Sequence, residues 1–227
     1  MRKVHPGFGE GGAGLSKGHP FPNPNGGNSY TLADVLLGVT SVYANAAAVE
    51  ALKAEMHDGV ILVNGVPFIW VPTSTANDST KQVAIRPTVI DSGDPGRFEI
   101  LSRSFALNLA ITYQTANNAV LFTVPTGFRL VVERLFYRVG TGYVNANGRI
   151  GASSSNAAYN TAGDLIGGSG GDAAAALAVG VRGGTIGTKF GSNGAVELIA
   201  DDTIKHDVIV SGYTAGAADL VVLCTRS

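Results

Sequence analysis

The second half of the chain is a succession of short apolar segments, each followed by residues that favour turns. The segments predicted as strands are 105–113, 119–124, 128–139, 143–151, 195–200, 207–211 and 219–225. Turn signals such as Pro125-Thr126-Gly127 and Thr214-Ala215-Gly216 separate them. This spacing is typical of an antiparallel β-sandwich, which we predict for residues 102–227. The Gly-, Ser- and Ala-rich stretch 152–194 is predicted as loops at one end of the sandwich, with a helical turn at 173–178.

Composition supports a mainly β chain. Charged residues make up 15% of the 227 residues, and there are 31 glycines, roughly twice the usual share. The formal net charge is −1 and no Lys/Arg run is present, so direct nucleic-acid binding is not expected. No stretch reaches the roughly 20 apolar residues that span a bilayer, and the first ten residues lack the apolar core of a signal peptide. We expect a soluble protein that is not exported by a signal peptide and does not bind membranes.

Residues 1–30 are predicted to form an extended arm. They contain eight Gly and four Pro, and too little apolar surface to offset the entropy of ordering. The aromatic residues Phe8, Phe21 and Tyr30 are spaced along this arm and are candidate anchors on a neighbouring subunit. A terminus with no role is the alternative, because disorder concentrates at chain ends.

Residues 31–101 are predicted to form a small α+β module. Helices are expected at 31–36, capped by Thr31, and at 44–56. Between the apolar runs 60–63 and 66–71 stands Asn64-Gly65, which favours a tight hairpin turn because both residues tolerate positive φ. Pro67 lacks a backbone donor and predicts that the second hairpin strand is an edge strand or lies beside a bulge. Short strands are expected at 82–86 and 97–101.

Two glycine motifs match sequences of enzymes without the context that enzymes need. Residues 7–12 match G-x-G-x-x-G, yet no strand precedes them and no helix follows. Residues 167–171 match the G-x-S-x-G of hydrolases around Ser169, and Asp201 or Asp202 followed by His206 has the required order. The neighbours of Ser169 are glycines, so a flexible loop is the prediction and a hydrolase the alternative.

The remaining polar residues predict no metal or cofactor site. The four histidines are far apart in sequence and no zinc-binding spacing exists. Asp201, Asp202 and Asp207 favour a solvated loop, with a calcium site as the alternative. The single Cys224 lies in an apolar run and is predicted to be a reduced core residue. We predict no catalytic residue, no cofactor and no enzymatic activity.

Part of the module resembles one that recurs in virion proteins of tailed bacteriophages. In that module a helix precedes a hairpin, a Ser-Thr-Ala-x-Asp loop and a Gly-Arg-Trp ending. The matching segments here are 49–52, 58–63, 68–70, 74–78, 83–87 and 96–98. This chain has Phe98 in place of the usual Trp and an acidic turn before Gly96.

The C-terminal segment resembles the jelly-roll modules of phage capsid cement or decoration proteins. The similar parts are 123–134, 150–151 with 159–160, and 208–213. The resemblance implies a homotrimer on the capsid surface, assembled in the host cytoplasm, that binds the major capsid protein through its arm and stabilises the head. A head fibre or tail adhesin that binds host glycan is the alternative, although residues 152–194 offer only Tyr159 and Phe190 as sugar platforms.

Overall fold

A computed structural model of the protein describes residues 39–52, 59–144, 148–167, 179–182, 195–210 and 213–227. The chain is mainly β, with several antiparallel sheets, which confirms the predicted fold class. It divides into two compact units. The first comprises residues 1–77 and 81–102, and the second 78–80 and 103–227. The sequence had suggested a boundary at residue 101.

The first unit is built on one five-stranded sheet. Its elements are β1 (Val39–Tyr43), α1 (Ala46–Glu50), β2 (Val60–Val63), β3 (Val66–Val71), β4 (Ala84–Ile85) and β5 (Arg97–Ile100). The strand order is β1-β2-β3-β5-β4. The β1-β2 pair is parallel and the other pairs are antiparallel. Strand β1 was not predicted.

The predicted hairpin is confirmed. Strands β2 and β3 pair from Val63↔Val66 outwards, and the turn residues Asn64 and Gly65 have φ of 49° and 79°. These are the positive values that a two-residue turn requires, and Asn and Gly adopt them at little cost.

The prediction that Pro67 marks an edge strand or a bulge is wrong. Strand β3 lies inside the sheet, between β2 and β5, and its pairing with β2 is regular. Hydrogen-bonded pairs alternate along an antiparallel ladder, so the bonds that close the turn at Val63↔Val66 direct the Pro67 nitrogen away from β2. On the β5 side, Pro67 O accepts a hydrogen bond from Leu101 N at 2.9 Å, and the absent N–H leaves this pair without its second bond. The proline therefore lies where the β3-β5 ladder ends.

The predicted helix 44–56 is shorter in the structure. Helix α1 begins after Asn45, whose side chain accepts a hydrogen bond from Ala48 N at 3.0 Å. It ends at Glu50, where Leu52 N bonds to Val49 O and the Glu50 carbonyl accepts from Thr88 N at 2.8 Å. Both contacts replace the next helical bonds. Residues 53–58 and the predicted helix 31–36 lie outside the described residues.

The second unit contains two antiparallel sheets. Its strands are β6 (Ser104–Thr112), β7 (Ala119–Thr123), β8 (Arg129–Val144), β9 (Arg149–Ser154), β10 (Gly180–Arg182), β11 (Val196–Ile199), β12 (Thr203–Val210) and β13 (Ala215–Arg226). The first sheet has the order β10-β8-β13-β6, with β11 also paired to β8. The second has the order β7-β12-β9.

Strand β8 extends further than predicted. It takes in residues 143–144, which the sequence had assigned to the next strand. Gly140 and Gly142 are typical of the end of a strand. The pairing of β8 with β13 nevertheless continues past them, with register shifts between Ala215 and Ala218. Pairing with β13 therefore continues to Val144.

The prediction of loops throughout 152–194 is wrong in part. Residues Ala152–Ser154 complete β9, Ile166 forms a bridge with Ala152, and β10 pairs with β8. The predicted helical turn 173–178 lies outside the described residues.

The core of the second unit follows the alternation expected of half-buried strands. In β6 the odd-numbered Leu107, Leu109 and Ile111 are buried while the residues between them are exposed. Cys224 is 1% exposed and unpaired, which confirms its predicted place in the core. Burial raises the pKa of its thiol to about 12, so it remains protonated and unreactive at neutral pH.

Candidate functional site

The predicted arm anchors Phe8, Phe21 and Tyr30 lie outside the described residues, as do the glycine motif at 7–12 and Ser169. The polar clusters within the described residues, and the surfaces of the two units, are the remaining candidates for a functional site.

The three aspartates considered for calcium do not form a common site. Asp201 is exposed, with a φ of 71°. The Asp202 carboxylate accepts hydrogen bonds from Asn156 Nδ2 at 3.0 Å and Ile199 N at 2.9 Å. Among the described residues, no group of three or more His, Cys, Asp or Glu side chains could hold a metal ion.

Asp207 is fully buried, so its predicted place in a solvated loop is wrong. Its two carboxylate oxygens accept from Ser153 Oγ on β9 and from the backbone N of Gly163, each at 2.9 Å. Desolvation raises the pKa of Asp207, against the opposing effect of these two hydrogen bonds and of Lys205. The carboxylate thus fastens the segment around Gly163 to the β9-β12 pair.

Gly151 permits this segment to approach the sheet. A Cβ at Gly151, which pairs with Asp207, would lie 2.7 Å from the carbonyl oxygen of Ile166. Any larger residue would push the segment away from the strands.

His206 lies beside Asp207 but cannot act with it. The imidazole is 2% exposed, and burial lowers its pKa to about 4. Successive residues of a strand point to opposite faces, so His206 and the Ser153–Asp207 pair lie on opposite sides of the sheet. This arrangement prevents a Ser-His-Asp relay, which needs the base between the other two groups.

Two buried tyrosines give no catalytic acid or base. Within the part of the chain that the structure describes, the hydroxyls of Tyr137 and Tyr143 have no hydrogen-bond partner. Burial raises the pKa of both, that of Tyr143 to about 12. They remain neutral in the core, where the ring of Tyr143 packs edge-on against Tyr213.

In the first unit, a buried arginine explains the Gly-Arg-Phe ending. Arg97 is 0% exposed and donates to four backbone carbonyls. The acceptors are those of Ala76 at 2.8 Å, Gly96 at 2.8 Å, Asp94 at 2.9 Å and Ser92 at 3.0 Å. Its guanidinium ties two loops together, and its burial leaves it unable to meet a ligand.

The outer face of the β10-β8-β13-β6 sheet is a candidate binding surface. Cross-strand register aligns Phe136 with Val221, and Arg134 with Leu223. Phe136 and Leu223 are partly exposed, so the face carries a central apolar stripe. Beside this stripe, Arg138 forms an ion pair with Asp219 at 2.7 Å. An apolar centre with paired charges beside it is typical of a protein-binding surface rather than of an active site.

Further apolar residues are exposed at the margins of this sheet. Val179, just before β10, is 63% exposed, and Val181 on β10 is 67% exposed. Ile199, at the end of β11, is 45% exposed. The exposed Val179 and Val181 were missed from the sequence because residues 152–194 are predicted as loops.

No protein-family model, curated protein or solved structure matches the chain. The described helix is also far too short to cross a membrane.

Proposed function

We propose that the protein is a non-catalytic structural component of a bacteriophage virion, a cement or decoration protein that binds the major capsid protein lattice. The observation that carries this proposal is the strand order of the second unit. One sheet follows β6-β13-β8-β11 and the other β7-β12-β9. Successive strands β6, β7, β8 and β9 alternate between the sheets, an arrangement that supports a jelly-roll interpretation.

The bridge between Ile166 and Ala152 adds to this support. It places the segment around Ile166 next to β9, the edge strand of the smaller sheet. A short fourth strand there would complete two four-stranded sheets, the eight strands of a jelly roll. Jelly rolls occur in viral capsid proteins and also in lectins, so the fold alone does not decide between cement and adhesin.

The polar interior favours a structural role over an enzymatic one. The carboxylates of Asp202 and Asp207 and the guanidinium of Arg97 are occupied by internal hydrogen bonds that hold loops in place. The partly apolar outer face of the larger sheet is available for contacts with other proteins. Contacts of modest strength, repeated by capsid symmetry, give stable decoration through avidity.

The arm predicted from sequence is the second contact in this proposal. Phe8, Phe21 and Tyr30 would bind apolar hollows on the capsid or on a neighbouring subunit, and the arm would order as they bind. The proposed assembly is a homotrimer on the capsid surface.

Binding to capsids that lack the protein tests the proposal. Occupancy would be quantified by sedimentation with heads and by electron microscopy. The full chain should decorate the heads, and a chain lacking residues 1–30 should remain folded but fail to do so. The triple variant Phe8→Ala/Phe21→Ala/Tyr30→Ala should lose occupancy, whereas Asn23→Ala/Asn25→Ala/Asn28→Ala should retain it.

Two outcomes would count against a role as a capsid cement protein. Unchanged occupancy without residues 1–30 would show that the arm does not hold the protein on the capsid. Absence of head binding, together with reproducible binding on a glycan array, would favour the adhesin. A serine-reactive probe that labelled Ser169 would support the hydrolase instead.

A further inference from the structure

The hairpin turn between β2 and β3 places a side-chain amide next to an unhindered backbone nitrogen. Asn64 and Gly65 are both exposed, and a Cβ at Gly65 would meet nothing within 4 Å. Within the part of the chain that the structure describes, neither the Asn64 carboxamide nor the Gly65 N–H makes a hydrogen bond. Both groups are therefore free to react with each other and with water.

The reaction open to these two groups is deamidation. The Gly65 nitrogen attacks Cγ of Asn64 and forms a new C–N bond, and no side chain on residue 65 obstructs the approach. The Cγ–Nδ2 bond breaks, and ammonia leaves with the proton that the Gly65 nitrogen loses. Water then opens the cyclic imide at either of its carbonyls. The product has an aspartate at position 64 that is linked to Gly65 through its α-carboxyl or its β-carboxyl.

The folded turn holds the reacting groups apart. Asn64 and Gly65 have φ of 49° and 79°, the positive values that define a type I′ turn. In this turn type, ψ of the first central residue is about 30°. At that ψ, the tetrahedral geometry of Cα places the Gly65 nitrogen nearly opposite Cβ of Asn64 across the Cα–C bond. Ring closure requires the two on the same side, so the peptide between Asn64 and Gly65 must first rotate.

Contacts around the turn resist this rotation. Asn64 N donates to Tyr43 O on β1 at 2.9 Å. Val63 and Val66 pair directly beyond the turn, and the next inward-facing residue of β3, Phe68, is 3% exposed. The peptide can therefore rotate far enough only when the turn end of the hairpin opens.

We propose that Asn64 is a site of spontaneous deamidation that the folded β2-β3 hairpin protects and that reacts when the hairpin opens. The rate in the native protein then follows the fraction of molecules in which the hairpin is open. The proposal rests on the geometry of the turn and is independent of the virion role, so it can be tested with the purified chain alone.

The two products affect the hairpin differently. Asp-Gly favours the same turn as Asn-Gly, so the α-linked product keeps Val63 paired with Val66. The β linkage directs the main chain through Cβ and Cγ and lengthens it by one atom, so the two-residue turn no longer joins the strands in register. In that fraction of molecules a transient opening becomes permanent.

The rates of deamidation in the folded and the unfolded chain test the protection. The full chain would be incubated at neutral pH in buffer and in guanidinium chloride, and the peptide containing residue 64 would be analysed by chromatography and mass spectrometry. We expect the reaction at Asn64 to be at least about tenfold slower in buffer. A synthetic peptide of residues 60–69, incubated in both solvents, corrects for any effect of the denaturant on the chemistry.

Phe68→Ala tests the dependence on hairpin opening. Truncating this buried side chain weakens the hairpin without changing the reacting residues. We expect faster deamidation of Asn64 in buffer and an unchanged rate in denaturant. Val120→Ala, at an exposed position in the second unit, is the control and should leave both rates unchanged. Circular dichroism shows whether each variant is folded, and a Phe68→Ala chain that does not fold should react in buffer as fast as in denaturant.

The proposal is overturned if Asn64 reacts equally fast in buffer and in denaturant after the peptide correction, or if it reacts in neither. A Phe68→Ala chain that is less stable than the unmodified chain, yet deamidates no faster in buffer, would equally exclude control by the hairpin.

Discussion

The indole of Trp70 occupies the space that a side chain at Gly96 would need. A Cβ built on Gly96 would lie 2.7 Å from Trp70 Cη2, and Gly96 also has a φ of 118°. Trp70 in turn packs against Phe98, with ring centroids 5.0 Å apart. The glycine, the tryptophan and the phenylalanine thus form one packing unit on neighbouring strands.

Gly96→Ala should destabilise the first unit by about 2 to 4 kcal/mol, since it combines a strained φ with a clash against an aromatic ring. Trp70 is the single tryptophan of the chain, so its fluorescence during urea unfolding monitors this unit selectively. Gly93→Ala is the matched control, because a Cβ there meets nothing within 4 Å. Equal stabilities for the two variants would contradict the packing argument.

Arg97→Lys should lower the free energy of unfolding by about 3 kcal/mol. A lysine has no planar fork, so several of the four carbonyls that Arg97 binds would be left buried without a donor. The same fluorescence measurement applies. Arg86→Lys is the control, since Arg86 is only partly buried and donates to Ile90 O. If Arg97→Lys lowered the free energy of unfolding no more than Arg86→Lys does, the role of the buried guanidinium would be contradicted.

Asp207→Leu should release the segment around Gly163. Leucine is of similar size but has no acceptor, so Ser153 Oγ and Gly163 N both lose their bonds. We expect the free energy of unfolding to fall by about 2 kcal/mol and hydrogen exchange at 159–167 to become faster. The exposed Asp201→Asn is the control, because it removes a carboxylate that faces solvent and Asn tolerates the positive φ of that position. Unchanged exchange in Asp207→Leu would refute the anchoring role.

The second unit should lose stability as the pH falls from about 7 to about 4, and His206 is the cause. Its pKa is about 4 when folded against 6.5 when unfolded, so the unfolded state binds the proton first. Above pH 6.5 this pKa difference contributes about 3 kcal/mol to the free energy of unfolding. The contribution is lost progressively as the pH falls to about 4. Asp207, whose pKa is raised, acts in the opposite direction and loses stability as the pH rises through its folded pKa.

His206→Gln should remove this loss of stability between pH 7 and pH 4, while His57→Gln should retain it. Thermal unfolding at a series of pH values measures the slope, and an NMR titration of the imidazole measures the pKa of His206 directly. A pKa near 6.5 in the folded protein would show that the histidine is not desolvated.

Local signals predicted much of the fold, and long-range contacts account for what they missed. Asn64-Gly65 specifies its own turn, so the hairpin could be predicted from two residues. The burial of Asp207 could not, because it depends on Ser153 and Gly163, which are 54 and 44 positions away. Strand β1 was missed for a similar reason, since its parallel partner β2 begins beyond the helix.

We propose that this protein lies on a virion surface. The most direct test is electron cryomicroscopy of virions produced from the genome that carries this sequence, with and without the gene. We expect density for the second unit in regular positions on the head, and we expect this density to be absent from particles made without the gene. Identical particles from both preparations, with the protein recovered only from the soluble fraction of infected cells, would contradict it.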